Sequence, residues 1–308
     1  MSQLALSVAS PADSTSRYRL VLMVVGFILL WSSAFSVGKI AIADCPPLIF
    51  LAVRFLAAGV LMIGLAAVSG VRWTLTKRDV AVFAALGIAN QAAYLGIGFM
   101  ALKTMSAGLA ALIISANPIV AAVLAVLLLG ERMSWRKVLG LLLGLAGVAF
   151  IVKSRLTLGT DQLSGIMLSA VALLAFVVGT ILFKLFAPRN GLWIGNGIQS
   201  LAAGMAMIPF AAGFESFGDV VPSTRLIAAF AYSVLMVSVF AYLLWFHILT
   251  VSGATAASSY HFLIPPLGML FGWLLLGEHL AMADLLGIVP VALGIYLVTR
   301  SAPSPEEV

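Results

Sequence analysis

Apolar runs of about twenty residues, separated by short polar segments, repeat along most of the 308-residue chain. A helix needs roughly 20 predominantly apolar residues to cross the hydrocarbon core of a bilayer. Positions 20–38 hold no Asp, Glu, Lys or Arg and predict the first such helix. A second starts at Pro46 and Pro47 and runs to Ser69, broken by one charge at Arg54. The pattern continues with helices at Val80–Leu102, from a tight turn at Lys103–Ser106 to Gly130, and at Trp135–Val152. After a polar stretch from Lys153 to Gln162 come Leu163–Phe186 and Leu192–Phe214. Positions 226–277 again carry no Asp, Glu, Lys or Arg. As one helix this segment is more than twice the membrane thickness, so Thr250–Gly253 is read as a turn between Leu226–Leu249 and Ala254–Leu276. Met282–Thr299 completes the set. None of these spans alternates with the period of two that a membrane β-barrel strand requires. The expectation is an all-α polytopic membrane protein with ten transmembrane helices.

Composition agrees with that pattern. Hydrophobic residues make up 63% of the chain and charged ones 9%, against roughly a quarter charged in a soluble domain, and the mean hydropathy is +1.16. The lipid bilayer is therefore the expected surroundings. The net charge of +6 does not point to nucleic acid, because the basic residues lie between apolar spans, without finger spacing or interleaved aromatics. Cys45 is the single cysteine, which leaves no disulfide and no cysteine cluster for a metal; no cofactor and no metal site is expected. Residues 1–16 are small and polar and read as a disordered tail, and residues 301–308 as a short acidic tail. The first apolar run is longer than the 7–15 residues of a cleaved signal and is expected to remain as helix 1.

Charge also orients the chain. With the N-terminus inside, Arg17, Arg19, Arg72, Lys77, Arg78, Arg132, Arg136, Lys137, Lys184, Arg189 and Arg300 fall on the cytoplasmic side. Lys39, Lys103, Lys153, Arg155 and Arg225 fall on the other. The bias predicts both termini in the cytoplasm.

A shift of 147 residues sets Leu127–Glu131 on Leu274–Glu278, Pro118 on Pro265, Leu139 on Leu286, Gly140 on Gly287 and Gly147 on Gly294. Lys39 falls on Lys184 at the nearby shift of 145. The chain reads as a duplication, with a first repeat at 17–152, a connection at 153–162 and a second repeat at 163–300. Five helices is an odd number, so the second copy enters the membrane from the opposite side. Inverted repeats of this kind build many transporters around a central site.

These residues carry a wider likeness: Trp31–Phe35 in helix 1, Pro46, Pro47, Arg54 and Phe55 in helix 2, Ala107–Pro118 leading to Leu128–Glu131, and Pro265 leading to Leu275–Glu278. Over residues 20–299 the chain resembles the EamA-like family of the drug/metabolite transporter superfamily. The resemblance implies a secondary transporter of the bacterial inner membrane, with a substrate pathway between the halves; many such proteins export amino acids, other metabolites or toxic compounds. The second half departs from the pattern where Gln199 stands in the place of Arg54.

Several polar and aromatic residues within the spans are candidates for a substrate cavity. Arg54 is a charge inside a span, and such residues usually face the protein interior or a wet cavity, although snorkelling toward the nearer face is an alternative. No acidic residue within a span offers itself as a partner, which leaves carbonyls, water or an anionic group of a substrate. Gln91 and Tyr94 share a face of helix 3, with Asn90 beside them. Ser115 and Asn117 lie near the middle of helix 4. Tyr260 and His261 lie mid-span in helix 9, where the shift of 147 sets them on Ile113 and Ile114; they either hydrogen-bond between helices or contact substrate. Trp31 and Phe35, four apart in helix 1, line a cavity or anchor at the bilayer surface. Pro118, Pro265 and Pro266 are expected to kink helices 4 and 9. Gly130, Glu131, Gly277 and Glu278 are expected to form turns through hydrogen bonds to the start of the next helix, and the glycines of helices 5 and 10 to pack closely.

The chain is expected to export a small organic metabolite, such as an amino acid or related compound, through a central cavity by alternating access. The lack of an HExxH motif, of paired carboxylates within the spans and of any thiol besides Cys45 argues against an enzyme. A membrane channel and a non-transporting scaffold are the alternatives to the carrier.

Overall fold

The computed structural model describes residues 11–71, 73–117, 119–120, 123–124, 134–159, 161–186, 188, 191–245, 247–248 and 260–300. Among the described residues there are helices and short connections and no strand. The helices are α1 (Pro11–Ile42), α2 (Pro47–Val68), α3 (Lys77–Ala101), α4 (Ala107–Ser115), α5 (Trp135–Thr157), α6 (Leu163–Phe186), α7 (Leu192–Phe214), α8 (Thr224–Trp245), α9 (Ile264–Leu276) and α10 (Met282–Arg300). Seven of these, α1 to α3 and α5 to α8, are long and apolar enough within the described residues to cross a membrane, and α9 and α10 are shorter apolar helices. Large apolar side chains such as Val60, Leu142, Val171, Ile227 and Leu285 are exposed on the outside of the bundle. Lipid, not water, is the solvent that such a surface fits.

Local chemistry sets many of the helix ends. Pro47 opens α2, where its missing N–H costs nothing. Thr76 and Asp79 cap α3 reciprocally: Thr76 Oγ1 accepts from the Asp79 amide at 3.2 Å and Asp79 Oδ2 accepts from the Thr76 amide at 2.9 Å. Ser106 and Ser223 accept from the first-turn amides of α4 and α8. Gly277 ends α9 at φ 66°, a left-handed conformation that favours glycine.

Three boundaries differ from the sequence expectation. The first helix begins at Pro11, so residues 11–16 are helical. Helix α5 continues to Thr157 through the polar residues read as a connection, because Arg155 has buried carboxylates to meet. In helix 9, Pro265 and Pro266 stand in the first turn of α9 after a 3-10 turn at Tyr260–Leu263. A proline there displaces no helical hydrogen bond, so among the described residues the pair begins a helix and does not bend one. Pro118, Gly130, Glu131 and the turn read at Thr250–Gly253 lie outside the described residues.

The helices pair in a pattern. Antiparallel contacts join α2 to α7, α4 to α9 and α5 to α10, and glycines let the backbones close in. A Cβ on Gly147 would lie 2.7 Å from the Gly287 carbonyl oxygen, and one on Gly294 would lie 2.5 Å from that of Gly140. The shift of 147 exchanges these two contacts. Between α2 and α7 the same holds at the shift of 145. Gly59 faces Leu201 and the Gly197 carbonyl, and Gly204 faces Leu56 and the Ala52 carbonyl.

Candidate functional site

Trp31, Ala34 and Phe35 of α1, Arg54 of α2 and Asn90, Gln91, Tyr94, Leu95 and Phe99 of α3 surround one cavity. Phe176 of α6 and Val237 and Tyr242 of α8 complete its wall. Its volume is about 70 Å³, room for several waters at on the order of 10–15 Å³ each. The wall is mostly aromatic. Tyr94 stacks on Phe176 with ring centroids 4.6 Å apart, and Tyr242 meets Trp31 edge-on at 5.6 Å.

Two wide turns shape this wall. Residues Gly87–Ala93 within α3 and Ser233–Ala241 within α8 are π-helical. An i→i+5 turn interrupts the regular helical register and is frequent at functional sites. The first supplies Asn90 and Gln91. The second supplies Val237 and also Ser238, whose Oγ accepts from Arg54 Nε at 3.2 Å. A shift of 147 carries one segment onto the other. Gly87 begins the first one, and a Cβ there would fall 2.2 Å from the Gln199 carbonyl oxygen.

Arg54 is 5% exposed and its guanidinium carbon lies 5.6 Å from the centre of the Phe55 ring. Among the described residues no carboxylate pairs with it. Gln91 has its amide committed: Nε2 donates to Asn196 Oδ1 at 3.1 Å and Oε1 accepts from Ser200 Oγ at 3.1 Å. It ties α3 to α7. Asn90 Oδ1 is buried without a hydrogen-bond partner among the described residues.

The structure thus brings Trp31, Phe35, Arg54, Gln91 and Tyr94 to one cavity and leaves others elsewhere. Ser115 donates to the Ala111 carbonyl at 2.6 Å, within its own helix. Asn117 does not line the cavity. Tyr260 packs with Trp31 on a separate cluster around Val24, Phe27 and Ile28. The side chain of His261 lies outside the described residues. Phe99, Phe176 and Tyr242 were not singled out from the sequence, since an aromatic residue in an apolar span carries no signal of its own.

Aromatic and ionic contacts tie the helices together at one end of the bundle. Phe50 lies 6.0 Å from Phe99 and 6.2 Å from Phe230, centroid to centroid, forming an aromatic layer. Beyond it, Asp44 pairs with Arg225 and accepts from Ser223. The Arg225 guanidinium, then the Ser223 hydroxyl, hold the Asp44 carboxyl down to about 2. Glu215 accepts from the Leu48 and Ile49 amides at 3.1 and 2.8 Å, capping α2 from the end of α7. Glu278 caps α4, accepting from the Ala107 and Gly108 amides at 2.6 and 3.0 Å, while Lys39 Nζ donates to it at 3.3 Å. Its partner is therefore not the next helix, α10, whose start is held by Asp284 accepting from the Ala281 amide. Arg155 makes a two-pronged pair with Asp284 at 3.0 and 2.7 Å, and Asp161, 3.7 Å from Arg155, accepts from the Ser106 amide. The ion pairs among the described residues all lie at this end.

Comparison with known proteins places this architecture. Residues 19–153 and 163–300 match the EamA-like transporter family. The chain belongs to the EamA-like transporter family. It is similar to the uncharacterized transporter YvbV of Bacillus subtilis, 28% identical over 94% of each chain. It is also similar to Protein PecM of Dickeya dadantii, 26% identical over 87% of this chain and 88% of that one. A solved crystal structure 21% identical covers 92% of the chain and 98% of its own, with a TM-score of 0.64, and shares the fold. The EamA-like family and YvbV are named as transporters. Among the described residues no group of three His, Cys, Asp or Glu side chains is placed to hold a metal ion.

Proposed function

We propose that this EamA-like protein is a secondary transporter that exports a small organic metabolite, an amino acid or a related compound, across a bacterial inner membrane. Ten helices form two inverted repeats, 17–152 and 163–300, joined by 153–162, with both termini in the cytoplasm. The solute binds in the cavity between α1, α2, α3, α6 and α8 and reaches the two sides alternately.

The observation that carries this reading is a cavity lined by polar and aromatic side chains beside an end of the bundle held by ion pairs and an aromatic layer. A carrier needs a seal that forms and breaks. With both termini inside, as the positive-inside bias favours, the ion-paired end faces outward, and we take the structure as a state closed on that side. The exchanged glycine contacts and the matching π-helical segments support inversion, because a two-fold relation in the membrane plane maps each contact onto its partner.

The test is solute flux in liposomes containing the purified protein, with a mixed amino-acid and metabolite pool. Saturable counterflow of at least one solute is expected. No saturable flux of any solute at verified incorporation overturns the transporter reading.

A further inference from the structure

Arg54 is nine-tenths buried or more, yet it stands in the cavity wall. Ser238 engages its Nε, and its two Nη groups have no acceptor among the described residues. A guanidinium keeps its charge at any physiological pH, and its planar donors match a carboxylate in a two-pronged geometry. A buried charge is costly without a partner. The cavity therefore presents an unmet demand for an anion. The surrounding wall has a different preference, since Trp31, Tyr94, Phe176 and Tyr242 offer flat apolar faces.

An aromatic cage alone attracts organic cations. Arg54 reverses that preference. Two like charges about 5 Å apart at an effective dielectric constant of about 20 lose roughly a hundredfold in affinity. An opposite charge gains through the same field, and a ring enters between the aromatic walls as they part from the present cavity of about 70 Å³.

We propose that this cavity selects solutes bearing a carboxylate on a flat, apolar body, with Arg54 holding the carboxylate and the aromatic wall holding the ring, and that it rejects organic cations of the same shape. The proposal deepens the transporter reading and rests on it for the role of the cavity.

Three probes of equal ring and chain length separate the charges: 3-phenylpropionate, phenylalanine and phenethylamine. Binding to the purified full-length protein is read by quenching of tryptophan fluorescence, and counterflow is measured in liposomes with the same probes. Both carboxylates are expected to bind at least tenfold more tightly than the amine. Arg54→Gln is expected to abolish that preference, and Arg54→Lys to keep its sign with weaker binding. Phenethylamine binding as tightly as the acids to the unaltered protein overturns the proposal, and so does an unchanged preference in Arg54→Gln. The probe series on the unaltered protein decides even if the variants fail to accumulate. Counterflow of the amine in preference to the acids overturns the carboxylate proposal and leaves the transporter reading standing. Binding of the acids without flux of any solute supports the site and overturns transport.

Discussion

Glu278, just past the end of α9, accepts hydrogen bonds from the backbone amides of Ala107 and Gly108 at the start of α4, 171 and 170 residues away in sequence. A carboxylate at a helix N-terminus meets unpaired donors and the positive end of the helix dipole together. Glu278→Ala is expected to lower stability by about 1–3 kcal/mol, read as a fall in the thermal midpoint in detergent. Lys39→Ala should cost less, because Lys39 is the more exposed partner of that pair.

Arg155 and Asp284 are fully enclosed, and removing one charge strands the other. Arg155→Leu and Asp284→Leu should each cost about 3–5 kcal/mol. The double substitution is expected to recover part of that loss, which a double-mutant cycle of thermal midpoints measures. Recovery remains incomplete because Asp161 and the start of α10 also use these groups.

Gly87 has no room for a side chain against the backbone of Gln199. Gly87→Ala should reduce membrane abundance and the melting temperature, since a carbonyl in a packed helix cannot step aside. Gly64→Ala, where a Cβ meets nothing within 4 Å, is the matched control and should leave both unchanged.

The Asp44–Arg225 pair carries a pH signature. The carboxyl is held down to about 2, below the ordinary value near 3.9. Its contribution is therefore fully present above about pH 4 and is lost as pH falls through 2. Stability should be flat in this contribution from pH 8 to 5 and decline from pH 4 to 2. Asp44→Asn should flatten that decline, as followed by thermal melts at stepped pH.

Cys45 reports on the same end. Burial, then the charge of Glu215, raises its thiol to about 11, so at pH 8 little thiolate is present to attack a maleimide. Labelling is expected to be slow in the folded protein and fast in denaturing detergent. If transport opens the sealed end, labelling should accelerate during counterflow.

The helical pattern was legible because lipid imposes it: twenty apolar residues cannot sit anywhere else in a membrane protein. Arg54 and Tyr94 were legible as cavity residues for a related reason, since a polar group inside such a run needs a place to go. Glu278 was visible as a repeated position, yet its partner was not, because an N-terminal helix amide looks the same in every helix. Arg155 was read as part of a connection, and its burial depends on Asp284 in another helix. The π-helical segments left no mark, because their residues suit an ordinary helix and the wide turn arises from packing against neighbours such as Gln199.

The glycine contacts between α5 and α10 have a historical consequence. A helix surface that packs antiparallel against its own counterpart is already the interface of a homodimer. Fusing two such copies requires a short tether and no new packing chemistry, after which each copy is at liberty to diverge. If the halves arose that way, Arg54 in one and Gln199 at the corresponding position of the other mark a place where two copies of one group became one.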